Sequence, residues 1–160
     1  CPVLLGPRSG SKTASFAIPE GLAPGALRSL TGVTVTRVES LRDGVAENAA
    51  EKSGGFAVTR WREDVASDLA PELSDSAGRG VVYRHANIRY CAIWPDRALL
   101  RLLVERMAGE AGVALLDLPE GIRVRRTATH AFTFNYAAEP VAVPHLGETL
   151  APASWHIAGR

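Results

Sequence analysis

The residues from Gly6 to Thr13 come close to the sequence of a phosphate-binding loop. Such a loop needs a glycine immediately before its lysine, so that bare backbone can curl around phosphate, and a helix must follow it. Ser11 occupies the glycine position before Lys12. The segment 14–25 contains two prolines and two glycines, which interrupt helices. The pattern therefore favours a loop with a role other than nucleotide binding.

Paired carboxylates could cleave a glycosidic bond, because one protonates the leaving oxygen while the other attacks the sugar or activates water. Glu63 and Asp64 are adjacent on an extended segment, so we expect their side chains on opposite faces. Asp117 and Glu120 bracket a turn, where carboxylates commonly make local hydrogen bonds. We therefore predict that neither pair forms a catalytic site.

Histidine and serine patterns also lack the spacing that catalysis or metal binding needs. No histidine has a partner four residues away or a nearby cysteine pair; the four are His85, His130, His145 and His156. Ser9 and Ser11 lie near glycines, but neither has the Gly-x-Ser-x-Gly register of a nucleophile elbow. We predict no catalytic, substrate-binding or metal-binding residue in this chain, and no cofactor.

The three tryptophans could stack on sugar rings or pack against protein. Packing accounts for Trp94, beside a proline at a helix start, and for Trp155, in the last β-segment, where it can close a small core. Trp61 precedes a charged run, which is typical of a subunit interface. In the segment 6–25, which we call the opening loop, Arg8 and Lys12 are candidates for interface ion pairs or for capping the loop. Arg8, Lys12 and Trp61 are therefore the predicted interface residues.

Composition is that of an ordinary globular protein, with 46% apolar and 22% charged residues among 160. A formal net charge of +1 gives no reason to expect nucleic acid. No leader pattern opens the sequence, and no apolar run approaches the roughly 20 residues that span a bilayer, so we expect no membrane association. Cys1 and Cys91 form no disulfide or metal pattern, which favours the reducing cytoplasm.

Strands are predicted from short apolar or alternating runs at residues 2–5, 33–38, 56–61, 81–83 and 88–94, the last two forming a hairpin. A long connection, 6–25, is expected to be functional or interfacial. The polar stretch 48–55 is predicted to be a connection, and 64–80 a surface segment with a helical turn at 65–69. One helix should begin after Asp96 and end at Gly112, with Leu99, Leu103 and Met107 on its buried face beside Leu100 and Val104.

The pattern of apolar residues changes near residue 115. A Pro-Glu-Gly turn at 119–121 precedes alternating segments at 122–124, 131–134, 141–143 and 155–157. These segments predict a small antiparallel β-domain over 116–160, too small to be more than marginally stable alone.

Three stretches resemble the family 42 glycoside hydrolases, the bacterial β-galactosidases. Residues 6–27 and 32–41 are similar to the trimerisation domain, as are 90–96 with the Leu-rich run 99–107 and 110–113. Residues 118–126 and 131–136 resemble the small C-terminal β-domain. The resemblance implies an α/β fold: residues 1–115 form the C-terminal portion of a doubly wound, glutamine-amidotransferase-like trimerisation domain, which the sequence enters in mid-domain, and 116–160 the β-domain.

The same resemblance implies a non-catalytic role in assembling a homotrimer. The parent enzyme would hydrolyse terminal β-galactosides with retention, using two glutamates in a catalytic barrel that these residues do not include. The 160 residues alone are expected to be inactive, and to self-associate or dissolve poorly because a cut sheet exposes a strand edge. The alternative is a free-standing carbohydrate-binding or protein-interaction module.

Overall fold

A computed structural model describes residues 1–48 and 55–159, which form two units, Cys1–Ala114 and a second unit that begins at Leu115. The strands are β1 (Val3–Leu5), β2 (Thr34–Ser40), β3 (Glu47–Asn48), β4 (Ala57–Val58), β5 (Trp61–Ala66), β6 (Pro71–Ser74), β7 (Gly80–His85), β8 (Ile88–Cys91), β9 (Ile122–Arg126), β10 (His130–Asn135), β11 (Val141–Val143), β12 (Glu148–Leu150) and β13 (Trp155–Gly159). The α-helices are α1 (Arg28–Thr31) and α2 (Arg97–Glu110), and a 3₁₀ turn covers Gly25–Leu27. No helix of the described residues is both long and apolar enough to cross a membrane.

The first unit is organised around a four-stranded sheet in the order β1-β8-β7-β6. The predicted hairpin is confirmed, because β7 and β8 pair antiparallel around a tight turn at Ala86, whose φ is +53°. The predicted first strand is also confirmed; β1 pairs parallel with β8. Strands β2 and β5 form a separate antiparallel ladder, which continues toward the sheet through a hydrogen bond from the Glu63 N–H to the Ala92 carbonyl.

Both faces of the four-stranded sheet are buried, because its side chains alternate between two core clusters. One cluster contains Val82, Cys91 and Ile93 of the sheet region with Leu99 and Leu103 of α2. The other contains Tyr83, Tyr90 and Ala92 with Val33 and Val35. The α/β prediction is borne out only in part: the described residues are mostly β-sheet, and β1 with β8 is the one parallel pair among their strands. They do not by themselves display a doubly wound sheet.

The predicted helix is confirmed as α2. The Asp96 carboxylate accepts a hydrogen bond from the Leu99 N–H at 2.8 Å, which satisfies a free donor of the first turn. Beyond the helix end, Gly112 adopts a φ of +65°. The predicted buried face is narrower than expected, since Leu99 and Leu103 are fully buried whereas Leu100 and Val104 are each 45% exposed.

The prediction for residues 64–80 is wrong. Instead of a surface segment with a helical turn, this region completes β5 and forms β6. Its acidic residues suggested solvent exposure, but Asp75 is buried against cations: Arg62 lies 2.9 Å and Arg79 2.8 Å from the same Asp75 oxygen. The predicted polar connection 48–55 falls mostly outside the described residues.

The second unit contains a three-stranded sheet, β13-β10-β9, and the hairpin β11-β12. All four predicted strands are present, and β12 is an additional one. Its core consists of Ile122, Val143 and Leu150. The prediction that Trp155 closes this core is wrong, because Trp155 is 62% exposed.

A buried arginine joins three elements of the first unit. Arg89 on β8 is 1% exposed; it donates from Nε to Glu72 of β6 at 2.8 Å and from Nη1 to Glu110 of α2 at 2.8 Å. Burial raises the pKa of the Glu72 carboxyl, but the hydrogen bonds and charges of Arg89 and Arg106 outweigh it, so the net shift is downward. Hydrogen bonding to Arg89 is the main reason that the pKa of Glu110 is lowered.

Replacing Glu110 by Gln should make the free energy of unfolding depend less on pH in the acid range. The folded-state pKa of Glu110 lies below its ordinary value of 4.5, so its charge stabilises the fold above that pH, and this contribution is lost as the pH falls through the folded value. Glu110→Gln should therefore be less stable than the original chain at pH 7 and lose less stability on acidification. Urea unfolding at pH 7 and at about pH 3, followed by circular dichroism, measures both quantities.

The matched control is Leu100→Gln on the exposed side of the same helix, which changes no titratable group. It should shift both free energies of unfolding equally. Equal pH dependence in Glu110→Gln and the original chain would contradict the role assigned to this carboxylate.

Candidate functional site

A buried carboxylate connects the opening loop to the sheet. Glu63 is 3% exposed, and its Oε1 accepts hydrogen bonds from the Arg8 backbone N–H at 2.8 Å and from the Trp61 indole at 3.2 Å. Its Oε2 accepts from the Tyr90 hydroxyl at 2.5 Å. Burial and the neighbouring carboxylate of Glu63 raise the pKa of Tyr90, which therefore remains a protonated donor.

This carboxylate fixes two of the predicted interface residues. The Arg8 backbone is held at a φ of +66°, and its guanidinium lies over the Trp61 ring, 5.4 Å from the centroid. That distance is suitable for a cation–π interaction. Trp61 is held in addition by its backbone carbonyl, which accepts a hydrogen bond from the Trp94 N–H at 2.9 Å.

The two ends of the opening loop lie against each other at Gly10 and Pro24. Built on Gly10, a Cβ atom would lie 2.0 Å from the Pro24 carbonyl oxygen, so only glycine permits this approach. No helix follows Thr13, whose N–H and hydroxyl instead close a turn onto Ala17. The helix that a phosphate-binding loop requires directly after its Lys-Thr pair is therefore replaced by a turn.

An open cleft of about 320 Å³ lies beside this network. The residues that line it are Arg8, Ser40, Arg60, Trp61 and Trp94. Two arginines and two tryptophans supply positive charge and flat apolar surface, and no carboxylate is among the described lining residues. Such a surface suits an apolar group that carries or adjoins a negative charge.

The structure thus brings together Arg8 and Trp61, whereas Lys12 is exposed and does not line the cleft. The prediction that Trp94 serves packing is incomplete, because Trp94 is 47% exposed and lines the cleft. Arg60 and Ser40 were not predicted either. Arg60 directly precedes Trp61, so proximity in sequence was a usable signal for it; Ser40 reaches the cleft because it pairs with Trp61 across the β2–β5 ladder.

The tip of the opening loop exposes large apolar side chains. Phe16 is 83% and Ile18 79% exposed, and Leu22 is more than half exposed. Phe16 has a φ of +61°, an uncommon conformation for a bulky side chain. Glu20, between the last two, is also exposed.

The other residues considered for chemistry are not among those that line the cleft. Asp117 and Glu120 are exposed. The described residues contain no cluster of three metal-ligating side chains. Cys91 is buried, and burial raises the pKa of its thiol to about 11, which makes it a poor nucleophile at neutral pH.

The second unit presents one apolar sheet face with two cross-strand rows. Arg125, Phe132 and Ile157 form one row, and Arg123, Phe134 and Trp155 form the other. The two phenylalanine rings are nearly parallel, with centroids 6.4 Å apart. Tyr136 extends this row of rings and is 72% exposed. We refer to these seven residues as the aromatic face.

Residues 2–114 match the sequence profile of the β-galactosidase trimerisation domain. The chain belongs to this family. The identification that the three sequence stretches indicated, a portion of a family 42 glycoside hydrolase, is confirmed. The profile covers the unit that contains the cleft.

Curated relatives of the family are much longer than this chain. The β-galactosidase of Thermus thermophilus is 47% identical over 143 residues, which cover 89% of this chain and 22% of that protein. The β-galactosidase BgaH of Haloferax lucentense is 32% identical over 155 residues, or 88% of this chain and 23% of the relative. The chain therefore spans about a fifth to a quarter of these relatives.

Solved structures agree over nearly the whole chain. The β-galactosidase from the psychrophilic Marinomonas ef1 matches with a TM-score of 0.85 and 31% identity, covering 98% of this chain and 25% of that one. The polyextremophilic β-galactosidase from Halorubrum lacusprofundi matches with a TM-score of 0.82 and 24% identity, covering 99% and 27%. The trimerisation-domain chain therefore has the fold of a portion of these enzymes.

Substituting Glu63 by Leu should release the opening loop. Leucine has a side chain of similar size but leaves the Arg8 N–H, the Trp61 indole and the Tyr90 hydroxyl without their acceptor. Each buried donor that loses its acceptor destabilises the fold by about 1–3 kcal/mol. Trypsin cleavage after Arg8 and Lys12 should then become at least about tenfold faster, because it follows the population of the open loop. Mass spectrometry of timed digests identifies each cut.

Glu39→Leu on the neighbouring strand serves as the control, since Glu39 pairs with Arg37 of its own strand at 2.6 Å. Unchanged cleavage in Glu63→Leu would show that other contacts hold the loop.

Proposed function

We propose that this chain is the non-catalytic assembly portion of a β-galactosidase, and that it holds three copies together. The match of residues 2–114 to the trimerisation domain carries this proposal. The cleft supports it, because exposed tryptophan and arginine side chains are enriched at protein interfaces. In this proposal Arg8 and Trp61 contact a neighbouring copy within the cleft, and Lys12 does so beside it.

Catalysis belongs to other parts of the parent protein. The parent hydrolyses terminal β-galactosides with retention, and the two catalytic glutamates lie in a barrel outside these 160 residues. The names of the relatives and the 22% share of their length support this division. The surroundings of Glu63 also support it, because a buried carboxylate already bound by three donors has no position from which to attack a sugar.

The finer fold and location are part of the same proposal. The first unit is the C-terminal portion of a doubly wound domain related in fold to the class I glutamine amidotransferases, and the second is the small β-domain of the parent. Burial of both faces of the β1-β8-β7-β6 sheet supports a layered α/β domain. The parent works in the cytoplasm, where a free Cys91 stays reduced.

Light scattering tests the assembly. The chain should have three times its monomer mass of 17.0 kDa and should show no hydrolysis of a chromogenic β-galactoside. Trp61→Ala should weaken the trimer by about thirtyfold, because a central interface tryptophan typically contributes about 2 kcal/mol or more.

Trp155→Ala, which removes an exposed tryptophan from the second unit, is the matched control and should leave the trimer intact. A monomeric chain would refute the assembly role, and measurable turnover would refute the placement of catalysis elsewhere.

A second candidate function is favoured by one observation, the aromatic face. Flat rings flanked by arginine donors suit the apolar faces and hydroxyl groups of sugars, so the second unit could act as a carbohydrate-binding module. Under this alternative, calorimetry should detect binding of a β-linked galactooligosaccharide, and Trp155→Ala should weaken it by at least about tenfold.

Trp61→Ala provides the control, because Trp61 lies in the first unit. Binding that is absent, or equally strong in Trp155→Ala, would exclude a sugar-binding role for this face.

A further inference from the structure

The loop tip carries an apolar surface interrupted by one negative charge. Phe16, Ile18, Glu20 and Leu22 are all exposed within seven residues, and we call them the arm. The arm is ordered by its own hydrogen bonds, including those from the Phe16 N–H to the Thr13 carbonyl at 2.9 Å and from the Gly25 N–H to the Leu22 carbonyl at 3.0 Å. Because it is already ordered, docking it costs less conformational entropy than docking a disordered segment.

The cleft has the complementary character. Its two tryptophans offer apolar contact, and its two arginines carry the opposite charge to Glu20. Arg8 is already engaged, since its guanidinium lies over Trp61 and its backbone N–H is bound by Glu63. Arg60 also lines the cleft and is exposed, so it is the cation better placed to receive a carboxylate.

Symmetry explains why one chain would carry both surfaces. A closed ring of three copies uses a head-to-tail contact, in which two different patches on each copy meet the opposite patches on its neighbours. A two-fold dimer would need one self-complementary patch instead. The arm and the cleft are two different patches whose apolar surfaces and opposite charges suit each other.

We propose that the arm of one copy docks in the cleft of the next, with the Glu20 carboxylate paired to Arg60 and the apolar side chains of the arm against Trp61 and Trp94. This inference rests on the proposed trimer and specifies its contact. It assigns the arm and the cleft to opposite sides of one interface.

Charge reversal in the 160-residue chain tests the pairing. Glu20→Arg and Arg60→Glu should each weaken the trimer by about ten- to a hundredfold, because each places like charges together. The double variant Glu20→Arg with Arg60→Glu restores opposite charges at every contact and should regain most of the lost affinity. Light scattering over a concentration series gives the dissociation constants, and circular dichroism confirms folding.

Asp68→Arg is the matched control, since Asp68 is an exposed acid outside the arm. It should assemble like the original chain. The arm–cleft contact is refuted if the original chain is trimeric and both single variants assemble normally, a result that leaves the assembly role intact. Weak single variants without recovery in the double variant refute the Glu20–Arg60 pair, and a monomeric original chain refutes both proposals.

Discussion

The first unit depends on burying charged groups only where each has a partner. Glu63 is the central case, because one carboxylate accepts hydrogen bonds from the opening loop, from β5 itself and from β8. An ionised carboxylate taken out of water without such donors would cost several kcal/mol. Its presence therefore requires the loop to pass where the Arg8 N–H can reach it. The position of the cleft follows from the same requirement, since the Glu63 contacts fix both Arg8 and Trp61.

Two buried arginines in the same unit also have charged partners. Arg62 pairs with Asp75 of the segment after β6, and Arg89 joins β6 to the end of α2 through Glu72 and Glu110. Burial raises the pKa of the Asp75 carboxyl, but hydrogen bonds from the Arg79 backbone and side chain, with the charges of Arg62 and Arg79, outweigh it, so the net shift is downward. Each pair links strands or helices distant in sequence, so the ionic contacts hold the layers in register as well as compensating for burial. Losing one partner would leave its counterpart buried and uncompensated.

Local signals were sufficient for the elements that local physics determines. The Asp96 cap and the leucine spacing predicted α2, and the short connection between two apolar runs predicted the β7–β8 hairpin, since capping and turn formation involve neighbouring residues. The prediction of a surface segment at residues 64–80 is wrong because acidic residues normally lie on the solvent-exposed surface. The sequence alone does not show which arginines neutralise Asp75. Trp94 was misjudged for a related reason. Its exposure depends on the opening loop and on β5, neither of which adjoins it in sequence. Family resemblance drew attention to the opening loop as a predicted interface, whereas the cleft itself required the long-range contacts.

The edge of the central sheet gives the last constraint. Strand β1 lies at one end of the order β1-β8-β7-β6 and pairs with β8 on one side, and Val3 is 40% exposed. A parallel sheet edge with apolar side chains is stable in water only when another element or another chain covers it. At the opposite end, β6 carries Glu72, whose contact with Arg89 turns charge inward and makes that edge a poor template for further pairing. The two edges therefore differ in kind: β1 presents an apolar side chain at its end of the sheet, whereas β6 turns a charge toward the interior.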